Sequence, residues 1–407
     1  MEQVNLQSHS LADLSWWQKR YKNLFLGYLK NIKQGCVRVI QGTEVHVFGN
    51  ESDELTADLQ VTNPDFYSKS IKGGSIGFAE SFIDGDWQTS DLVALLRLFA
   101  INQNESDRFE QLTSAFNKLS NKWFHFTNRN TKSQAKKNIL DHYDLGNELY
   151  TRFLDKEMVY SAAVFDSSSQ SLEDAQLNKF KHICDALELS PNDNLIEIGT
   201  GWGGLAIYAA QNYGCKVTTT TISDAQFQYA KNKVEKLGLS EQITLLKQDY
   251  RLLTGQFDKL VSVEMIEAVG KEFFHEFFNQ CEALVKPKGK LLIQAITIAD
   301  QRFESYSNNV DFIQRYIFPG GCLPSVTQLQ LNLTKHTNFV TQSIKDIGLD
   351  YAMTLQHWTL RFLANWQEIK PHGYDDTFKR LWLFYFAYCE AAFLEKKVST
   401  VHLLAQK

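Results

Sequence analysis

The stretch NLIEIGTGWGGLAIYAA, residues 194–210, sets an apolar run carrying one carboxylate against four glycines and then an alanine- and leucine-rich segment. NLIEI reads as a buried strand and GLAIYAA as a helix, so Gly199, Gly201, Gly203 and Gly204 fall in the turn between them. Gly199 and Gly201 lack the Cβ atoms that would hold a ligand off the main chain. GTGWGG is close to GxGxxG, which makes a dinucleotide one candidate occupant. Two details point elsewhere. Glu197 stands two residues before the first glycine, where a carboxylate can face a cationic ligand. The next strand, KVTTTTIS (216–223), ends without the acidic residue that a dinucleotide ribose usually meets. Thr221 and, one turn into the following helix, Gln226 stand there instead and can share hydrogen bonds with hydroxyls.

Outward from this turn, apolar strands alternate with amphipathic segments from about residue 130 to the end. ITLLKQDYR (243–251) is a third strand, carrying Asp249. FDKLVSVEMIEAVG (257–270) is a fourth, ending in Glu264 and Glu267, and KGKLLIQAITI (288–298) is a fifth. This alternation predicts an α/β, doubly wound, Rossmann-like sheet.

Upstream, the pattern differs. Residues 16–33, WWQKRYKNLFLGYLKNIK, are apolar at helical spacing and carry five basic residues with no acid; this suits either a helix at a lipid interface or a solvated face over a core. Residues 36–86 read as short strands, CVRVI, TEVHVFG, ADLQVT and KGGSIGFAESFIDGDW, with turns between them. Helix is expected over 91–118 and a basic connector over 122–140. The chain therefore divides into a smaller mixed α/β domain, 1–125, and a catalytic domain, 126–407.

At 407 residues the chain exceeds a single ordinary core. A net charge of −5 argues against nucleic acid as a partner. Six scattered cysteines without a CxxC pair give neither a disulfide framework nor a zinc site, so no metal is expected. The start, MEQVNLQSHS, carries no signal-peptide pattern, and the run LWLFYFAYC (381–389) is too short to span a bilayer. These features predict a cytoplasmic protein. Aromatic residues reach 13%, which an aromatic core explains and an apolar pocket also uses.

The five strand-end elements together resemble a class I S-adenosylmethionine-dependent methyltransferase with a seven-stranded sheet. That resemblance implies that Gly199 and Gly201 contact the aminocarboxypropyl and ribose parts of the cofactor, and that Asp249 lies near its adenine. DHYDLGNELYTRFLDKEMVYSAAVF (141–165), QDYR, VEMIEAVG and YIFPGGCLPS (316–325) are similar to the cyclopropane-fatty-acyl-phospholipid synthases and the related mycolate enzymes. Membership implies an N-terminal lipid-side or dimerisation domain and attack of a cis double bond on the sulfonium methyl. The substrates would be unsaturated phospholipid acyl chains met peripherally at the inner membrane, with a homodimer as one arrangement. The family positions place Tyr160 and Ser161 against the cofactor and His142 at a lid over it.

In the family, a bicarbonate ion takes the proton, held by a Cys, a Glu, a His, a main-chain group at an Ile, and a Tyr. Here Glu267, Ile296 and Tyr351 match three of these, whereas the cysteine is Ala162 and the histidine is Gln294; plant-like members lack the same two. Gln294 still offers an amide donor. Tyr160, Tyr316, Phe318 and Tyr351 are candidates to face a carbocation. Glu264 reads as a solvated or paired acid outside the catalytic set. The 316–325 loop, with Gly320 and Gly321, reads as a closing loop or a rigid turn. A related activity, giving methyl-branched or methylene chains that lead to furans, shares every step up to the carbocation; a lipid-binding protein that has lost chemistry is the alternative from another class.

Overall fold

The computed structural model describes residues 14–102 and 146–407. The chain divides into two compact units, one of residues 1–120 with 374–395, the other of 121–373 with 396–407. The stretch 374–395, which follows the second unit's helices in sequence, therefore belongs to the first unit.

In the first unit, β1 (Cys36–Gln41) lies between β2 (Glu44–Gly49), antiparallel to it, and β3 (Thr56–Val61), parallel to it, with β4 (Trp87–Gln88) on the far edge of β3. The segment KGGSIGFAESFI is not a strand. It forms part of a helix, Asp65–Ile83, kinked at Gly74, whose φ of 57° and ψ of −137° lie outside helical space. A glycine pair marks a turn and a helix kink equally well in sequence, and packing decides between them. The helix Trp16–Leu29 starts at a capping box made by Ser15 and Gln18. It turns Phe25 and Leu29 inward, and Lys22 is also buried, paired with Glu44. Trp16, Trp17 and Leu24 are exposed. The helix expected over 91–118 is seen as Leu92–Ile101; its remainder and the connector lie outside the described residues.

The second unit is built on a seven-stranded sheet in the order β10-β11-β9-β8-β5-β6-β7. Its strands are β5 (Asn194–Ile198), β6 (Lys216–Thr221), β7 (Ile243–Lys247), β8 (Phe257–Val263), β9 (Val285–Ile298), β10 (Val340–Asp346) and β11 (Val398–Gln406). The strands β5 to β9 are mutually parallel, and β11 runs antiparallel to both β9 and β10. Helices cover both faces, with Phe277 and Phe278 centring one core and Phe180 and Leu205 the other. Because β5 lies between β6 and β8, the connections leave it in opposite directions, which opens a crevice at its carboxyl end. The glycine turn follows that end directly.

Register sets the surroundings of Glu197. Glu197 of β5 pairs with Thr219 of β6, and Thr219 Oγ1 donates to Glu197 Oε2 at 2.6 Å. The Thr200 and Thr219 hydroxyls lie 2.6 Å apart. Glu197 is 3% exposed. Its Oε2 is therefore held by the neighbouring strand, and through Thr219 and Thr200 it pins the start of the glycine turn. Burial pushes its carboxyl up to about 8, with Thr219 opposing. The folded protein thus holds this proton more tightly than the unfolded chain, so stability falls as pH rises from the ordinary 4.5 towards about 8. Glu197→Gln carries no titrating proton. In urea melts, the stability of the wild type relative to this variant should decline across that window, with a slope of at most about 1.4 kcal/mol per pH unit. Parallel pH profiles for the two proteins would remove this reading.

Candidate functional site

The turn after β5 is built from left-handed backbone, with φ of +104° at Gly199, +53° at Gly201 and +88° at Gly203. The Gly199 and Thr200 amides donate to the Thr220 carbonyl at 3.1 and 3.0 Å, which fastens the turn to β6. The four glycines serve different ends. A Cβ at Gly204 would lie 3.1 Å from Phe180 Cζ and one at Gly203 3.1 Å from Ala230 Cβ, so these two allow close packing. A Cβ at Gly201 would enter open space, and one at Gly199 would meet only the Met265 side chain, at 3.4 Å from Cγ. Gly199 and Gly201 thus present bare backbone at the crevice, and Met265 sets the segment between Glu264 and Glu267 beside it.

Around the turn, Thr221 Oγ1 donates to Gln226 Oε1 at 2.9 Å, and both residues are buried at the end of β6. This pair is preassembled, with the Gln226 amide nitrogen as its donor end. Trp202 Nε1 donates to Asn147 Oδ1 at 2.9 Å, tying the segment after DLG to the turn; His142 lies outside the described residues. Asp249 is gripped by Arg251, whose main-chain N, Nε and Nη2 donate to its carboxylate at 3.0, 2.9 and 2.6 Å. Its expected place beside an adenine is thus left to the remaining lone pairs. Ser161 is 5% exposed, and its Oγ accepts from the buried Lys179 Nζ at 2.7 Å, which holds the hydroxyl from the core side.

Three remote segments meet on Glu264, the residue that follows β8. Its Oε1 accepts from the Ala162 amide at 2.9 Å and from Gln294 Nε2 at 2.8 Å, and its Oε2 accepts from the Tyr351 hydroxyl at 2.9 Å. Glu264 has φ of +48°, a left-handed conformation that a residue with a Cβ adopts at a cost of about 1–2 kcal/mol. Burial raises its carboxyl, while the Ala162 amide, Lys179, Gln294 and Tyr351 hold it down. Glu264 is therefore paired but not peripheral, and it belongs to the site from which the sequence reading omitted it.

Gln294 is saturated. Its Nε2 donates to Glu264 and, at 3.2 Å, to the Ala162 carbonyl, while its Oε1 lies 2.8 Å from His402 Nε2. Because both amide protons point away from His402, the imidazole must be the donor in that pair, which fixes the Nε2–H tautomer. Burial, with Lys179, Lys345 and His182, lowers His402 to about 3 and keeps it neutral. The expectation of a free glutamine donor for an anion is thus corrected: the amide positions Glu264. Lys179 and His402 were not anticipated at all, since nothing in their local sequence distinguishes them from surface residues.

Glu267, three residues on, has a different environment. Its Oε1 accepts from the Ile296 amide at 2.5 Å, so the main-chain group that the family resemblance assigns to a bicarbonate ion is bonded here to Glu267 itself. Its Oε2 is buried and has no hydrogen-bond partner among the described residues. Burial and then the neighbouring Glu264 push its carboxyl up to about 8. Two carboxyls three residues apart thus have different surroundings: burial raises both, Glu264 takes the donors that oppose the rise, and the Glu264 charge adds to the rise at Glu267. The main-chain carbonyl of Glu267 accepts from the Cys322 amide at 2.8 Å, and Gln314 Nε2 donates to the Gly321 carbonyl at 3.0 Å, so the 316–325 loop is anchored on this residue.

Of the four aromatic candidates, two share one cluster. The Tyr160 and Tyr351 rings lie 5.1 and 6.0 Å from that of Trp358. Tyr316 is 37% exposed with Arg315 over its ring, and so faces outward. Phe318 sits half-buried in the anchored loop. Among the described residues no group of His, Cys, Asp and Glu is arranged to hold a metal ion.

The resemblance to the ring-forming synthases implies two small molecules, and the residues present fit one of them. The bare backbone at Gly199 and Gly201 and the Thr221–Gln226 pair suit an S-adenosyl ligand. A bicarbonate ion does not fit: the Ala162 amide, Gln294 and Tyr351 are spent on Glu264, and the Ile296 amide on Glu267.

Comparison with known proteins gives the family of the chain. The family model for mycolic acid cyclopropane synthetase matches residues 130–403. The cyclopropane-fatty-acyl-phospholipid synthase of Escherichia coli K12 is 39% identical over 84% of this chain and 86% of its own length. The tuberculostearic acid methyltransferase of Mycobacterium tuberculosis is 35% identical over 84% of this chain and 81% of its own. A mycolic acid cyclopropane synthase solved with SAH and CTAB superposes with a TM-score of 0.63 at 25% identity, covering 67% of this chain and 98% of that one. With strand order, glycine turn and paired glutamates in place, the chain belongs to the mycolic acid cyclopropane synthetase family.

Proposed function

We propose that this chain is a cyclopropane-fatty-acyl-phospholipid synthase, joining the methyl carbon of S-adenosylmethionine to the cis double bond of an unsaturated phospholipid acyl chain. The observation that carries this reading is the buried, unpartnered Oε2 of Glu267 beside the glycine turn, in a chain 39% identical to the Escherichia coli synthase. When bound, S-adenosylmethionine supplies an electrophilic methyl group. Gly199, Gly201, Thr221 and Gln226 hold it, with Asp249 at its outer end.

A carbon–carbon double bond is a weak, uncharged nucleophile, so position and a dry site matter more than a strong base. Helix Gly348–Ala364 and the 155–165 segment exclude water, since Ala163 donates to Thr354 Oγ1 at 3.0 Å and Phe165 to Asp350 Oδ1 at 3.0 Å. Positive charge then develops on the acyl chain. Tyr160, Tyr351 and Trp358 offer ring faces to it. Glu267 acts in its ionised form, its proton having left to solvent before the acyl chain closes the site, and its Oε2 then stabilises the cation.

Access to the substrate is assigned to the first unit. Its exposed Trp16, Trp17 and Leu24, with Lys19, Arg20, Lys30 and Lys33 on the surface, suit a peripheral visit to the inner face of an anionic membrane. No helix among the described residues is long and apolar enough to cross one.

Expression in a bacterium lacking its own ring-forming enzyme tests the activity. Gas chromatography with mass spectrometry of membrane fatty acids should show acyl chains one methylene heavier, eluting as cyclopropanes; a methylene or saturated branch in their place would overturn ring closure in favour of the methyl-branching activity. Glu267→Gln should lower product formation by about 100-fold or more while SAH binding stays unchanged. Because the ionised form is the active one and Glu267 in the free protein sits at about 8, wild-type kcat/KM should rise with pH through that value. The same limb in Glu267→Gln would remove this assignment.

A further inference from the structure

Ring closure needs a proton acceptor, and the donors that the family resemblance assigns to a dissolved bicarbonate ion are already filled by a side chain. Ala162 N–H, Gln294 Nε2 and Tyr351 OH come from positions 102, 30 and 87 residues away, and all three end on the Glu264 carboxylate. We infer that Glu264 is this chain's own proton acceptor, a built-in carboxylate in place of an exchangeable anion. The assignment rests on the ring-forming reading above.

Three observations support it. The first is backbone geometry: φ of +48° at Glu264 is a conformation suited to glycine, yet a glutamate occupies it, locked by its own amide donating to the Gln294 carbonyl at 2.8 Å. That conformation turns the carboxyl onto the three donors. The second is charge. A bicarbonate ion would place a further anionic group beside the carboxyls of Glu264 and Glu267, and the buried ammonium of Lys179 makes its hydrogen bond to Ser161, not to an open position. The third is location, because Met265, the next residue, packs against Gly199 at the mouth of the cofactor turn.

The step balances without a co-reactant. After methyl transfer the acyl chain carries a carbocation next to the carbon bearing the new methyl group. One C–H bond of that methyl breaks, its electron pair forms the second C–C bond of the ring, and the proton passes to Glu264 Oε2. Among the described residues that oxygen has a single donor, Tyr351, and so keeps a lone pair for the proton. A proton beside a carbocation is strongly acidic, so even a weakly basic carboxylate in place can accept it; burial raises the Glu264 carboxyl, and its three donors and Lys179 oppose that rise. Product release returns the proton to solvent.

The test compares purified wild type and Glu264→Gly, assayed with S-adenosylmethionine and unsaturated phospholipid vesicles in carbonate-stripped buffer, with and without added bicarbonate or formate. Glycine suits the left-handed backbone, so this variant should fold, and calorimetric titration with SAH confirms that its cofactor site is intact. Wild-type rates should be the same with and without bicarbonate. Glu264→Gly should lose about 100-fold or more in stripped buffer and regain activity when formate or bicarbonate fills the vacated place. The inference is overturned by a wild type that requires bicarbonate, by a variant as active as wild type in stripped buffer, or by a variant that binds SAH normally and is not rescued. A wild type inactive in every buffer overturns the ring-forming reading as well, which separates the two failures.

Discussion

A single buried carboxylate, that of Glu264, holds the site together. Its three donors come from the segment before β5, from β9 and from the helix Gly348–Ala364. Hydrogen bonds to a charged group contribute roughly 1.5–3 kcal/mol each, and leaving such a group unpaired in the interior costs more than any one of them. The strained backbone at Glu264 is therefore affordable only in the assembled fold. Its neighbours inherit their places from it: Met265 closes against the glycine turn, and Glu267 is carried to the Ile296 amide.

Two carboxyls three residues apart gain different chemistry from this arrangement. Glu264 is surrounded by donors and sits near the buried Lys179, whose own acidity burial shifts down to about 8. Glu267 has one donor and one oxygen with none. Such asymmetry sets donors against burial at one group and leaves the other with less to oppose it. His402 and Gln294 support it from behind without titrating near neutral pH.

Several features were legible in sequence because they are local. The glycine turn and the strand–helix alternation follow from residues close together or from motif spacing. Where the sequence fell short, the missing information was tertiary. Glu197 lies within a strand, and which face it points to depends on register with Thr219. The Ser161 hydroxyl takes its hydrogen bond from Lys179, 18 residues later, a pairing that no local motif shows. The glycine pair in KGGSIG marks a helix kink rather than a strand end because the helix Asp65–Ile83 packs in the first unit.

The amino-acid sequence alone determined a doubly wound α/β domain and the bare-backbone turn at Gly199 and Gly201, because periodicity and glycine requirements act over a few residues, and its motifs carried the family resemblance. Only the tertiary structure decided which glutamate receives the three donors. Acidity in an interior depends on what surrounds a group in space, and the residues that surround Glu264 stand 30 to 102 positions away along the chain.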